Sequence, residues 1–144
     1  MKSQKLHRTH RHLFASTQKQ TILSFLDQQP HLSKEHLYAV YELGSDLFRK
    51  QQYAKAEDIF YNLTLMEFQD VRFWKAWAVT LLHQKKYKEA LYAYFGAYLL
   101  SPEDLEVLSA MSDCYIKLGD VDGAQEMLMQ ICDIFEESGG REDI

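Results

Sequence analysis

The 144-residue chain contains only two cysteines, Cys114 and Cys132. Two thiols are too few for the disulfide framework of a small secreted domain, and they show no metal-ligand spacing. The chain also has no apolar run near the ~18–20 residues that a membrane-spanning helix needs. Its N-terminus, MKSQKLHRTHRHLF, is basic but lacks the apolar stretch and the small-residue cleavage site of a secretory signal. These absences predict a cytoplasmic protein that does not insert into a membrane.

Motifs for catalysis or cofactor binding are also missing. There is no glycine-rich phosphate loop, no H-E-x-x-H and no G-x-S-x-G, so we predict neither an enzyme nor a cofactor. His7, His10 and His12 lie close together, but no cysteine or acid stands beside them, and we predict no metal site. Cys114 has no His or Asn partner on its repeat face and is expected to be a small packing residue.

Strong basic charge is absent as well, since the formal net charge is −5. The distribution is uneven: residues 1–36 carry six Lys/Arg and two Asp/Glu, whereas residues 105–138 carry one Lys and eight Asp/Glu. A chain with this balance is not expected to bind nucleic acid. It has instead a basic N-terminal segment and an acidic C-terminal part.

What the sequence does contain is a pattern that recurs every 34 residues. In the second half of each unit it reads Tyr53-x-x-Ala56-x-x-x-Phe60, then Tyr87-x-x-Ala90-x-x-x-Tyr94, then Val121-x-x-Ala124-x-x-x-Leu128. In the first half, small residues recur at Gly44, Ala78 and Ser112. Steps of three and four residues mark one face of an α-helix, and small residues allow two helices to approach closely.

These features are typical of tetratricopeptide repeats, which are helix–turn–helix units of about 34 residues. We therefore predict an all-α solenoid of three repeats at 37–70, 71–104 and 105–138, after a basic N-terminal arm and helix (1–36) and before an acidic tail (139–144). Tyr87, Tyr94 and Tyr98, in an unusually aromatic stretch, are expected to be mainly core residues, as are Trp74 and Trp77. Ser33, Asp70 and Ser101, the last followed by Pro102, are predicted to cap the first helices of the units.

The N-terminal segment has an apolar stripe of its own. Ile22, Phe25 and Leu26 share one face of a predicted helix that ends before Pro30, and Phe14 extends that face. The stripe must be buried against the first repeat or against a second copy of the chain. The residues leave both alternatives open, and a homodimer through this helix is a hypothesis.

Residues 32–132 also resemble the class II chaperones of bacterial type III secretion systems. The resemblance is carried by LSKEHLYAVYELGSDLFRKQQYAKAEDIFYNLTLMEFQDVRFWKAWAVTLLHQKKYKEALYAY and by SDCYIKLGDVDGAQEML, and DVRFW at 70–74 is its most specific part. It implies a cytosolic chaperone whose client is a secreted, membrane-active protein, either a translocator or an effector. The chaperone keeps that client soluble, with an extended apolar segment held in the groove of the repeats, until export. Virulence would then depend on it.

The repeat itself predicts which residues line such a groove. Stacked helix pairs form a trough lined by the first helix of each unit, at unit positions 2, 5, 9, 12 and 13. The predicted groove residues are Tyr38, Tyr41, Ser45, Phe48, Arg72, Lys75, Val79, Leu82, His83, Ser109, Asp113 and Ile116. The same positions also include Arg49, Glu106 and Lys117. For Tyr41 and Phe48, ordinary core packing remains the alternative to client contact.

A second function is a general repeat adaptor or co-chaperone that grips acidic C-termini. That task needs Lys and Asn on the inner face to clamp a carboxylate. Tyr41, Ser45 and Val79 stand at the corresponding positions, and Glu106 would repel an acidic peptide. The sequence therefore favours the secretion chaperone.

Overall fold

The computed structural model describes residues 32–139, and all of the regular secondary structure in this range is helical. The helices are α1 (Lys34–Arg49), α2 (Tyr53–Met66), α3 (Val71–His83), α4 (Tyr87–Leu100), α5 (Leu105–Leu118) and α6 (Val121–Gly139). The predicted all-α fold of three helix–turn–helix units is confirmed. The predicted N-terminal helix and the histidines at 7, 10 and 12 lie outside the described residues, and the division into arm, repeats and tail stays a prediction.

The described residues from His36 onward belong to one compact unit. Within this unit, each helix from α2 onward packs against the next one along the chain. Helix α1 packs on α2 where Gly44 faces Phe60: a Cβ atom at Gly44 would lie 2.7 Å from the Phe60 ring. Among the described residues, no helix is both long and apolar enough to cross a membrane.

The turn inside each helical hairpin has the same geometry in all three units. Gln51, Lys85 and Gly119 have positive φ angles of 60°, 59° and 77° and stand at equivalent repeat positions. The residue after each of them donates its backbone N–H to a carbonyl five residues earlier, at 2.9–3.0 Å. This is the Schellman arrangement that ends an α-helix, in which the left-handed residue is usually glycine. Only the third unit has the glycine.

Aspartates begin the first helices of the second and third units. Asp70 accepts a hydrogen bond from the Arg72 backbone N–H at 3.0 Å, which confirms it as an N-cap. The prediction that Ser101 caps the next helix is wrong: α4 ends at Leu100, and Asp104 accepts from the backbone N–H groups of Glu106 and Val107. A carboxylate at the position equivalent to Asp70 satisfies two N–H groups, so the helix begins three residues later than predicted.

The core consists of two clusters of buried side chains. One contains Leu37, Ala56, Phe60, Leu63 and Phe73. The other contains Ala78, Leu81, Ala90, Ala93, Tyr94, Ala97, Val107, Leu108, Met111, Cys114 and Met127. The small residues predicted at helix contacts are buried as expected. The predicted packing role of Cys114 is confirmed, since its side chain is fully buried in the larger cluster. Burial, with the negative charge of Asp113, raises the pKa of its thiol to about 11.

The aromatic stretch of α4 is divided between core and surface. Tyr94 is buried, and Tyr87 and Tyr98 are half-buried, as predicted. Tyr92 and Phe95, in contrast, are 67% and 48% exposed. Helix α4 is apolar on nearly every side, so the pattern in its sequence does not distinguish the buried face from the exposed one.

Candidate functional site

A cavity of about 400 Å³ opens between the first helices of the three units. We call it the inner cavity. It is lined by Tyr41, Ser45, Phe48, Arg49, Phe60, Arg72, Lys75, Ala76, Val79 and Glu106. These side chains come from α1, α2, α3 and α5.

Aromatic and aliphatic side chains make up the apolar part of the inner cavity. The Tyr41 ring lies 5.7 Å from the Phe60 ring and 5.8 Å from the Phe73 ring, measured between centroids. The Phe48 ring packs edge-on against His83 at 4.8 Å. Tyr41 and Phe48 are both half-buried. Each therefore packs on the core with part of its surface and faces the cavity with the rest, so the two alternatives left open by the sequence both apply.

Basic side chains of the inner cavity are paired with carboxylates of the same chain. Arg72 donates to both carboxylate oxygens of Asp70, from Nε at 3.0 Å and from Nη2 at 2.7 Å. The hydrogen bond from Arg72 holds the pKa of Asp70 below its usual value. Arg49 forms an ion pair with Asp46, one helical turn earlier on α1.

Lys75 links the second and third units across the inner cavity. Its Nζ donates to Asp104 Oδ2 and to Glu106 Oε2, both at 2.9 Å. Burial opposes the charge of Lys75, but the hydrogen bonds to Glu106 and Asp104 outweigh this effect and raise its pKa. For Asp104, burial is the largest single effect and acts to raise its pKa, but the hydrogen bond and charge of Lys75, together with the backbone N–H groups of Val107 and Glu106, lower the pKa below its usual value. The inner cavity thus combines an apolar interior with charges that are already neutralised.

Six of the twelve predicted groove residues line the inner cavity: Tyr41, Ser45, Phe48, Arg72, Lys75 and Val79. Two more lie beside it. The guanidinium carbon of Arg72 lies 5.1 Å from the centroid of the Tyr38 ring. His83 contacts Phe48, and its Nδ1 lies 2.9 Å from the Val79 carbonyl oxygen.

The other four predicted residues do not line the inner cavity. Leu82 is half-buried and packs on the larger core cluster. Ser109, Asp113 and Ile116 are exposed on α5 and are not among the residues that line the cavity. The prediction assumed the same inner face in every unit, whereas the cavity is bounded in the third unit by Glu106 alone.

The inner cavity also includes residues that the sequence did not single out. Arg49 and Glu106 stand at the predicted inner-face positions, but Phe60 and Ala76 do not. Phe60 stands at the repeat position of Tyr94, which was predicted to be mainly a core residue. Phe60 is only 2% exposed, so it forms part of the cavity wall while remaining a core residue.

Three helical hairpins spaced 34 residues apart have the architecture of a tetratricopeptide-repeat solenoid. The family model described as Tetratricopeptide repeat matches residues 81–134. No curated protein matches the sequence. Among the described residues, no group of three or more His, Cys, Asp or Glu side chains is placed to hold a metal ion.

Several solved structures have a similar fold. The chain is similar to a structure of the CopN–Scc3 complex, with 25% identity and a TM-score of 0.67 over 69% of this chain, and it spans only 58% of that chain. It is also similar to PcrH in complex with the chaperone binding region of PopD, with 22% identity and a TM-score of 0.69, over 74% of this chain and 80% of that one. PcrH is from Pseudomonas aeruginosa.

A third similar structure is the type III secretion chaperone SycD of Yersinia enterocolitica with a peptide of the translocator YopD. The two sequences are 18% identical and the two structures have a TM-score of 0.68. The similarity covers 78% of this chain and 90% of the SycD chain. The resemblance to type III secretion chaperones that the sequence indicated is therefore confirmed at the level of the fold.

Proposed function

We propose that this protein is a type III secretion chaperone that binds an extended apolar segment of a secreted, membrane-active client in the inner cavity. The observation that carries the proposal is the cavity itself. It has an apolar interior of Tyr41, Phe48, Phe60 and Val79 and a rim of polar side chains. An extended peptide needs an apolar interior and a polar rim, because its apolar side chains bind in pockets and its backbone forms hydrogen bonds.

Charge pairing on the rim supports an apolar rather than an acidic ligand. Arg49 is paired with Asp46, Arg72 with Asp70, and Lys75 with two carboxylates. Because each of these cations already has a partner, an uncharged segment can bind without burying an unpaired charge. The same pairing disfavours the adaptor function, since Lys75 would have to give up Asp104 and Glu106 to hold a carboxylate ligand.

The finer features of the function are proposals that follow from the resemblance. The protein acts in the bacterial cytoplasm, without enzymatic activity, and keeps the client soluble until export. The client is a translocator or an effector with membrane-inserting segments. Tyr38, Leu82, His83, Ser109, Asp113 and Ile116 are proposed to contact parts of the client that extend beyond the inner cavity.

Filling the inner cavity tests the proposal without removing a core side chain. Ser45 lines the cavity, and its hydroxyl donates to the Tyr41 carbonyl oxygen at 3.0 Å. In Ser45→Trp the indole would occupy space that the client needs. We expect this variant to lose at least about tenfold in affinity for a secreted client that co-purifies with the unmodified chain, because buried anchors dominate such interfaces.

The matched control is Ala39→Trp, which places the same side chain on an exposed position of α1 outside the inner cavity. It should co-purify with the client as the unmodified chain does. Both variants should keep the helical circular-dichroism signal. If Ser45→Trp is folded and still co-purifies with the client at the unmodified level, the inner cavity is not the binding site.

A further inference from the structure

Every ion-paired cation of the inner cavity is neutralised, but one of the carboxylates is not. Two of the three ion-pair groups contain one cation and one carboxylate each. The third contains one cation, Lys75, and two carboxylates, Asp104 and Glu106. Lys75 can balance only one of them, so this group keeps one negative charge. Because Asp104 and Glu106 stand at the start of α5, the remaining charge lies at the side of the cavity that the third unit forms.

The two carboxylates that share Lys75 are held differently. The side chain of Asp104 is 22% exposed, and its other oxygen accepts hydrogen bonds from the backbone N–H groups of Glu106 and Val107. The side chain of Glu106 is 70% exposed, and within residues 32–139 its only ion-pair partner is Lys75. Because Asp104 alone can balance the charge of Lys75, Glu106 can change its partner without leaving that partly buried cation unpaired.

Glu106 also stands where the charge of a bound segment matters most. Among the described residues of α5, it alone lines the inner cavity, so it marks the boundary between the apolar interior and the third unit. The third unit adds to its negative charge, since residues 105–138 carry one Lys and eight Asp/Glu. Complementary charge across an interface favours the matching partner and disfavours the others. This side of the cavity therefore favours a basic side chain over an acidic one.

We propose that Glu106 selects client segments in which a Lys or Arg lies directly beside the apolar residues. The inference rests on the proposed function, because it assumes that the apolar residues bind in the inner cavity. The basic residue of the client then replaces Lys75 as the partner of Glu106, and Lys75 keeps its hydrogen bond to Asp104. After the exchange, each of the two cations is paired with one carboxylate, so the surplus negative charge is neutralised.

Selection from a random peptide library displayed on phage tests the inference without a known client. Peptides that bind Ser45→Trp are removed first, so that those selected on the unmodified full chain need the open cavity. They should contain apolar residues with a Lys or Arg beside them. Selection on Glu106→Gln should yield the apolar residues without the basic one. The control is Glu126→Gln, the same substitution at an exposed position of α6, which should yield the same peptides as the unmodified chain.

A double-mutant cycle on one selected peptide then measures the ion pair itself. The basic residue of the peptide is replaced by Gln, and fluorescence anisotropy gives the affinity of both peptides for the unmodified chain and for Glu106→Gln. Loss of the basic residue should weaken binding to the unmodified chain about three- to fivefold, as expected for a partly exposed ion pair, and should not change binding to Glu106→Gln. High salt should reduce the difference, because it screens exposed charges.

The outcomes separate this inference from the proposed function. Apolar peptides without a basic residue, or with the same basic residue after selection on Glu106→Gln, would overturn the inference and leave the proposed function intact. Loss of the basic residue on Glu126→Gln as well would also overturn it, because the net charge of the third unit would then be the cause. A selection in which no apolar peptide needs the open cavity would contradict the proposed function, and the inference with it. Retained helical circular dichroism in each variant excludes unfolding.

Discussion

The repeated turn geometry makes a quantitative prediction about stability. Gln51 and Gly119 occupy the same left-handed position in the first and third units, with φ angles of 60° and 77°. For a residue with a Cβ atom, the left-handed conformation lowers the free energy of unfolding by about 1–2 kcal/mol. Glycine has no such penalty, but its freedom in the unfolded chain opposes folding by roughly 0.5–1 kcal/mol. The net difference is about 0.5–1 kcal/mol in favour of glycine.

Gln51→Gly should therefore raise the free energy of unfolding by about 0.5–1 kcal/mol, and Gly119→Ala should lower it by a similar amount. A Cβ atom at Gly119 would meet nothing within 4 Å, so the loss is conformational rather than steric. The control is Gln125→Gly, the same substitution at an exposed position inside α6, which should lower stability by about 1 kcal/mol.

Urea denaturation followed by circular dichroism measures all three variants, and thermal midpoints should shift by about 3–5 °C per kcal/mol. The reasoning fails if Gln51→Gly and Gln125→Gly destabilise the protein equally. That result would mean that Gln51 does not adopt the left-handed conformation.

Two further predictions concern the core and the charge network. Tyr94→Ala should lower the free energy of unfolding by about 3–5 kcal/mol, whereas Tyr92→Ala, at an exposed position of the same helix, should change it by less than about 0.5 kcal/mol; equal losses in urea denaturation would contradict the assignment of the buried face. Asp104 has a lowered pKa in the folded state, so its stabilising contribution is present above its unfolded pKa and is lost as the pH falls through the folded value. The free energy of unfolding should fall on acidification below about pH 4, and Asp104→Asn should flatten that part of the pH profile; an unchanged profile would show that the carboxylate does not contribute.

The helical hairpins could be predicted because each one repeats the same local information. Small residues at Gly44, Ala78 and Ala90 stand where two helices must approach, and a 34-residue period places every helix. The cap of α5 was missed for a local reason. Ser101 followed by proline matches a common helix start, but Asp104 stands at the position equivalent to Asp70 and is the group that the structure uses.

The candidate site was only half predictable. Repeat position alone identified Tyr41, Phe48 and Val79 as cavity residues, because inner-face register follows from helix geometry. Repeat position did not show that Glu106 is the only residue of the third unit that lines the inner cavity. This depends on how the packing of the third unit differs from that of the first two. Nor did repeat position indicate Phe60, which belongs to the second helix of its unit and lines the cavity although it is buried.

Alanine-methyl NMR on the full chain tests the central claim most directly, because it needs no substitution in the inner cavity. The Ala76 methyl group lines the cavity, whereas Ala39 and Ala54 are exposed outside it. On addition of the apolar segment of a co-purified secreted client, we expect the Ala76 resonance to shift and the Ala39 and Ala54 resonances to stay in place. A client that binds while the Ala76 resonance remains unchanged would contradict the claim that the inner cavity is its binding site.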